Sequence, residues 1–595
     1  MECQPADNSH GRLPGHDGSS DQRGGAGLRI LTGVWLAVVL LWCAVPLSPA
    51  TTDGDFWGHV QYARDALRHG LDRTATYTYT AEGYRWVNHE NLSELVFAVV
   101  TDHWGTGVLL GLKCLLGLSV LGLATVSRRV HPLCWAALWI LTACNLSYYW
   151  ATRPQIFSFT FFAWMLLTME LAFGAWSTEL SWRGLIYRSQ ATAEWHALSA
   201  RHQVQRSLRW LWLLPPLMLI WTNTHGGFLA GVAVTTVLLA GRLWQARVAP
   251  RCVWVPLAVV LLVTIGVTFI NPYGWQLHAW LYGSLRNPRP EVIEWMPPDW
   301  WGPGSTKTWL LIATLVVSLA GTRLRRDPLH VALLVVVAWQ STEHRRHLPF
   351  LTILVLYWLA PHLESTVARW IQIPADLRRR QSATGLSTAW LTCGVLSACV
   401  LGAALSVSLW SRLAQMQVDR AVFPVAAVQH MADQRLTGKC LVSAQWAQYV
   451  LATLGGRFPG DGGIRVAFDG RYDTCYPQPV IDMYFDFDRG PGGPDRRWRG
   501  PDSPPCDPQR ALDYLQPDFV LLARKNEFAR QQLARQADRW ELVYADSTAE
   551  LWQRRAQVTS ELPTRFVATP AAEQPRVSGG VERGWVAWPA APRRP

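Results

Sequence analysis

The feature that most limits what this chain can become is a succession of apolar runs, several of them near bilayer length, with arginine-rich turns between them. A hydrocarbon core about 30 Å thick asks for roughly 20 apolar helical residues to cross it. Runs at 28–50, 105–125, 131–146, 155–176, 208–221, 228–243, 253–270, 308–320, 329–339, 348–360 and 387–409 predict about eleven transmembrane helices. Two of them, 308–320 and 329–339, are short enough to be half-helices. The first run lacks a tidy small-residue cleavage site, which favours a retained helix over a signal peptide.

Arginine placement sets the orientation. With the N terminus inside, one side receives Arg128 and Arg129, then Arg183, Arg188, Arg201 and Arg206, then Arg242, Arg247 and Arg251. Arg323, Arg325 and Arg326 follow there, and finally Arg378, Arg379 and Arg380. Every expected cytoplasmic turn is basic. An odd number of spans then puts the first loop and the C-terminal region outside, which for a bacterial inner membrane is the periplasm.

Composition narrows the class. Half of the 595 residues are hydrophobic and 16% are charged, so the chain is too long for one ordinary soluble domain and too apolar for a disordered one. Thirty-four tryptophans suit extensive headgroup-level surface. The net charge of +12 is spread between apolar runs instead of forming one basic face, which argues against a nucleic-acid partner. The eleven cysteines form no CxxC pair and no zinc-finger spacing.

Residues 1–27 are Gly-, Asp- and Ser-rich and read as a disordered cytoplasmic tail. The transmembrane domain is expected over 28–410, with 51–104 as its first outer loop. From about Val418 helices alternate with short strands, which predicts a small extracytoplasmic α/β domain over 418–555. Two of Cys440, Cys475 and Cys506 could pair there in an oxidising space. The Pro- and Ala-rich residues 556–595 read as an unordered tail.

The first loop gathers ionisable groups where a membrane helix should meet water, and such groups are functional candidates by default. Asp53 and Asp55 open it. "GDFWGHVQYARDALRHG" follows, with Phe56, Val60, Ala63 and Leu67 at helical spacing opposite Arg64, Asp65 and Arg68, an amphipathic helix lying in the interface. An aspartate there can simply cap that helix, and capping is the expected role of Asp53. The loop closes on "WVNHENLSEL", with Asn88, His89, Glu90 and Glu94. Ser93 stands where a zinc protease would carry its second histidine, so that chemistry is excluded. Arg153 and Gln155 in "RPQ", and Arg345 and Arg346 in "TEHRRHLPF", put cations at outer helix ends against the charge bias. A guanidinium fork matches phosphate oxygens, though it can also snorkel to headgroups. His225 in "NTHGGF" precedes two glycines, but no GxSxG elbow accompanies it, which excludes a serine hydrolase. Glu291 and Glu294 share an outer loop. In "AFDGRYDTCY" the DG pair after a strand is first a turn signal. No phosphate-binding P-loop occurs.

In order, "DGDFWGHVQYARDALRHG", "YTYTAEGYRWVNHENLSEL", "RPQIFSF", "WTNTHGGFLAG" and "NPYGWQL" resemble a large, mostly uncharacterised bacterial group of GT-C-like membrane glycosyltransferases, over about 53–360. The resemblance implies an α-helical polytopic GT-C-like fold with a small C-terminal α/β domain. It implies transfer of a sugar from a polyprenyl-phosphate-linked donor to a glycan, lipid or protein acceptor outside the cytoplasm. An acid of the first loop would be the base, here Asp55, with Asp53 and Glu90 assisting. Arg153 and Arg346, with Arg345, would hold phosphate. His59, Asn88, His89, Gln155, His225 and Glu294 would line the substrate site. No cofactor is demanded, a divalent cation at Asp53 and Asp55 being the one candidate. The acid pair here is DGD where better-known GT-C enzymes carry adjacent acids. A lipid or polysaccharide transporter, or a noncatalytic assembly protein, is the alternative expectation.

Overall fold

The computed structural model describes residues 18–174, 176, 206–247, 249–371, 388–492, 497–555, 576–577 and 584–593. Arg183, Arg188, Arg201 and Arg378 to Arg380 fall outside them. Every expected apolar run is helical. The chain passes through α1 (Gly18–Ala44), the loop helix α2 (Phe56–His69), α3 (Asn91–Leu123), α4 (Pro132–Leu146), α5 (Gln155–Phe173), α6 (Leu214–Thr222) and α7 (Phe228–Gln245). It continues through α8 (Arg251–Gly266), α9 (Trp275–Ser284), α10 (Ser305–Gly321), α11 (Pro328–Glu343), α12 (Leu348–Trp370) and α13 (Thr388–Leu413). Seven are long and apolar enough to cross a membrane among the described residues, namely α1, α3, α5, α7, α8, α12 and α13. The chain is a multi-pass membrane protein. The runs expected as half-helices are α10, of 17 residues, and α11, of 16, each longer than its run.

Two boundaries differ from expectation. α1 begins at Gly18, inside the segment expected to be disordered. α3 bends at Gly105, whose φ of 83° breaks one helical run into a short outer segment and a spanning one. Only glycine takes that conformation without steric cost.

The C-terminal region is an α/β domain. β1 (Gln417–Asp419) leads to α14 (Val425–Asp433), β2 (Gly438–Val442), α15 (Ala444–Leu454), β3 (Ile464–Val466), α16 (Gln478–Arg489) and β4 (Phe519–Ala523). Then come α17 (Glu527–Ala534), β5 (Trp540–Ala545), β6 (Ala549–Arg554), β7 (Arg576–Val577) and β8 (Trp585–Ala587). The main sheet runs β3-β2-β4-β6-β5-β7, with β2 parallel to both β3 and β4. Cys440, Cys475 and Cys506 are free thiols, so none of the considered pairings forms.

Residues 584–593 of the tail expected to be unordered return to the fold. β8 pairs with β1, Trp588 packs edge-on to Phe56 at 5.3 Å, and Trp57 Nε1 donates to the Pro589 carbonyl at 2.9 Å. The first loop is held between the helical layer and the C-terminal domain. Thr78 bridges to Val466, Tyr77 N–H donates to the Arg457 carbonyl, and Val87 N–H donates to the Thr474 carbonyl. Trp57 lies 4.8 Å from Phe423 and 4.9 Å from Tyr449, so the loop shares one core with the domain.

Candidate active site

A cavity of about 270 Å³ opens where the first loop, the outer ends of the helices and the C-terminal domain meet. Asp55, His59, Asn88, His89, Glu90, Arg153, Gln155, His225, Glu294 and Arg346 all line it. Arg345 does not. Its guanidinium donates instead to the Pro297 carbonyl at 2.9 Å, while the next residue along the 3₁₀ turn faces inward. Asp53 sits behind the wall, where its Oδ1 accepts the Asp55 N–H at 3.0 Å.

Asp55 is the first residue before α2, yet its side chain makes no capping bond. The carboxylate is left for the cavity. Arg153 lies against it at 3.2 Å, against Asp53 at 2.7 Å and against Glu294 at 2.9 Å. The sequence suggests Arg153 as a phosphate ligand and the two aspartates as holders of a cation, but here the guanidinium and the carboxylates satisfy one another. Lys113 fixes this arrangement from below: buried within α3, it donates to the Pro49 carbonyl at 2.5 Å and to Thr152 Oγ1 at 3.4 Å, tying the loop start to the residue before Arg153. Burial raises the Asp55 carboxyl, against the pull of Arg153 and with the push of Asp53.

A second acid centre stands beside it. His59 Nδ1 lies 3.0 Å from Glu94 and 4.0 Å from Glu90. Asn88 donates to the other Glu94 oxygen at 2.6 Å and its Oδ1 accepts the Glu90 N–H at 3.1 Å, so one amide orients both acids. Burial opposes charge on His59, yet the Glu94 hydrogen bond and the nearby carboxylates hold it up to about 9. Burial also works against charge on Glu90, but His89, His59, His225 and Arg153 keep it below the usual carboxylate range. One nitrogen and two carboxylates, all within 4.8 Å of one another, make His59, Glu90 and Glu94 the group that could hold a metal ion among the described residues.

His225 is oriented by its neighbours. Its Nδ1 accepts the Gly227 N–H at 3.0 Å and faces Ser158 Oγ at 2.7 Å, which itself accepts from Trp221 Nε1 at 2.7 Å. Nδ1 therefore carries the lone pair, and the Nε2–H points to Glu90 at 3.6 Å. Burial pushes this imidazole down to about 3, so it is a neutral donor.

On the facing wall Arg346 stacks over Trp295 at 4.3 Å, with no carboxylate at ion-pair distance among the described residues. Arg289 stacks on the same ring at 4.9 Å and pairs with Asp473. Gln155 donates to the Tyr149 carbonyl at 3.5 Å, and the His89 ring lies tilted against Trp280 at 5.2 Å.

Sequence reasoning missed Arg289, Lys113 and Gln448. A lone lysine inside an apolar run was a signal for Lys113. Nothing local marked the other two. The turn read at the DG pair of "AFDGRYDTCY" is present, closed by the Tyr472 N–H donating to the Asp469 carbonyl at 3.3 Å, and the same segment also walls the cavity: Gly470 packs directly on Asp55.

No family model matches the chain, and no curated protein does. Among solved structures it is similar to an oligosaccharyltransferase of Archaeoglobus fulgidus, at 10% identity and TM-score 0.46, over 82% of this chain and 69% of that one. It is similar to ArnT of Cupriavidus metallidurans bound to undecaprenyl phosphate, at 15% and 0.43, over 89% and 98%. It is also similar to the mycobacterial arabinofuranosyltransferase AftD, at 13% and 0.41, over 88% and 40%.

Proposed function

We propose that the chain is a GT-C-type glycosyltransferase of the bacterial inner membrane. It moves a sugar from a polyprenyl-phosphate carrier to an acceptor on the periplasmic side. The observation that carries this reading is the Asp55 carboxylate, placed at the cavity wall, unspent on capping and made more basic by burial. A carboxylate so placed suits proton abstraction from an attacking hydroxyl. The hydroxyl oxygen bonds the anomeric carbon as its proton passes to Asp55. The bond from that carbon to the phosphate oxygen breaks, and the electron pair leaves with the polyprenyl phosphate. Charge developing on that oxygen needs a cation, and Arg346 is the cavity's candidate, since Arg153 is already matched by three acids and Arg289 by Asp473. The neutral His225 Nε2–H supplies a further donor. If a divalent cation takes part, His59, Glu90 and Glu94 would hold it, and it would add Lewis acidity toward phosphate.

The test is Asp55→Asn in the purified chain, supplied with polyprenyl-phosphate sugars. Transfer should fall by about 10²–10⁴, the usual worth of a general base, while undecaprenyl phosphate still binds. Undiminished transfer would remove Asp55 from the mechanism.

A further inference from the structure

The helix ends opposite the candidate active site hold another polar cavity, of about 270 Å³. α5 runs 19 residues from Gln155, at the first cavity, to Phe173, at this one, about 27 Å along its axis. α7 and α12 make the same passage. One starts soon after His225 and carries Arg242 in its last turn, and the other starts soon after Arg346 and brings Trp358 into the lining. Three arginines, Arg128, Arg242 and Arg325, meet two acids, Glu170 and Asp327, so the lining is net positive with its histidines neutral. All three arginines belong to turns or helix ends that the charge pattern assigns to the cytoplasmic side.

The acids are already committed. Glu170, 6% exposed within α5, accepts from Arg128 Nε at 2.8 Å. Asp327 spends one oxygen on Arg242 Nη2 at 2.6 Å and the other on the Leu329 N–H at 2.9 Å, capping α11. The donors are not all spent. Arg242 is 5% exposed; its Nη1 donates to Gln245 at 2.9 Å and its Nη2 to Asp327, yet its Nε has no partner among the described residues. His330 lies flat on Trp358 with ring centroids 4.0 Å apart, and neither of its nitrogens makes a hydrogen bond among the described residues. Ion pairs that served only to tie helix ends together would not need a buried N–H left without an acceptor, which is costly. Surplus donors in a net positive lining call for a compact, acceptor-rich anion. Guanidinium geometry matches phosphate oxygens, and basic pockets between membrane helices on the cytoplasmic side take phospholipid headgroups. The volume falls below the roughly 300–1,000 Å³ of sites for drug-sized ligands, so it suits a single phosphate group and not a whole nucleotide.

We propose that this cavity binds a phosphate group on the membrane face opposite the candidate active site, with Arg242, His330 and Arg325 donating to it. An anionic phospholipid headgroup of the facing leaflet and a soluble phosphate share that chemistry, and experiment separates the two. The inference stands apart from the transferase reading, since none of these three residues lines the first cavity.

The test uses the full purified chain with His330→Phe, which keeps a ring on Trp358 and removes both nitrogens, and Arg325→Gln, at an exposed position. Both leave the Arg128–Glu170 and Arg242–Asp327 pairs in place. Retained lipid is counted by native mass spectrometry after exposure to phosphatidylglycerol or phosphatidylcholine, and the thermal midpoint is read with each lipid and with inorganic phosphate. Wild type should retain phosphatidylglycerol over phosphatidylcholine and melt higher with it. Each variant should keep the wild-type midpoint in phosphatidylcholine and weaken phosphatidylglycerol retention about fivefold or more, the worth of one basic contact to an anionic lipid. Inorganic phosphate that protects wild type as well as phosphatidylglycerol does, and protects neither variant, supports the site with a soluble source. Lipid retention and phosphate response unchanged in both variants overturn the site, because the anion then sits elsewhere on the chain. A wild-type chain that neither prefers phosphatidylglycerol nor responds to phosphate overturns it as well.

Discussion

Asp55 is subject to opposing influences that fix the pH at which it can act. Burial, Asp53 and Glu90 favour its protonated form, whereas Arg153 and His59 favour the carboxylate. A base works only when ionised, so transfer should fall as pH drops through a value above the ordinary aspartate range near 3.9. Arg153→Gln removes the strongest stabilisation of the carboxylate and should move this acid limb to higher pH. Asp53→Asn removes a negative neighbour and leaves Arg153 more closely engaged with Asp55, moving the limb to lower pH. The pH profile of kcat/KM for the two variants checks both signs, and shifts in the same direction would contradict the arrangement. Asp55 itself was readable from the sequence, because acids at the exit of a membrane helix are costly without a use. The partnership of Arg153 was not: its three acids lie 100, 98 and 141 positions away, and residue type alone suggested phosphate.

At the scale of elements, the helices were readable because apolar length is a strong local signal, and β2 to β5 because short apolar segments between turns are another, whereas β6, which pairs between β4 and β5, was not read. Nor was the returning tail. Its Pro- and Ala-rich composition carries no periodicity, and the order of 584–593 comes from partners elsewhere, among them β1, Phe56, Trp57, Gln429 and Tyr449. This segment braces α2, the helix that Asp55 precedes. Trp588 is only 9% exposed, and burial of a large apolar side chain contributes roughly 1.5–3 kcal/mol. Two hydrogen bonds, Trp57 to Pro589 and Tyr449 to Ala590, add about 1 kcal/mol each. A chain truncated before Gly584 should therefore melt at lower temperature and lose transfer, with faster amide exchange concentrated in 56–69. Exchange unchanged in that helix would show that the tail only covers the surface.

Across the whole molecule, the C-terminal domain is part of the candidate site's wall and not an appended module, and one buried arginine of that domain, Arg471, paired with Asp469 of the same domain, reaches into the first loop. Asp469 is fully buried and Arg471 is 7% exposed; they meet at 2.8 Å. Arg471 also donates to the Thr76 carbonyl at 2.6 Å and lies 4.8 Å over both Tyr62 and Trp86 of the loop. Removing one member of a buried pair leaves the other charge uncompensated, which costs about 3–5 kcal/mol, whereas neutralising both is far milder. Arg471→Met should accordingly lower the thermal midpoint sharply and speed amide exchange together in 71–90 and 464–476, two segments nearly 400 residues apart that Arg471 joins alongside the Thr78–Val466 bridge and the Val87–Thr474 hydrogen bond. Adding Asp469→Asn should recover most of the loss, because the amide can still accept from the Tyr476 hydroxyl that now bonds Asp469 at 2.7 Å. Transfer should follow stability in both variants, since the loop and Gly470 reach Asp55 only while the two layers are joined. A double variant no more stable than Arg471→Met would mean that the loss comes from the contacts of Arg471 with Thr76, Tyr62 and Trp86, and not from the Asp469 charge left unpaired.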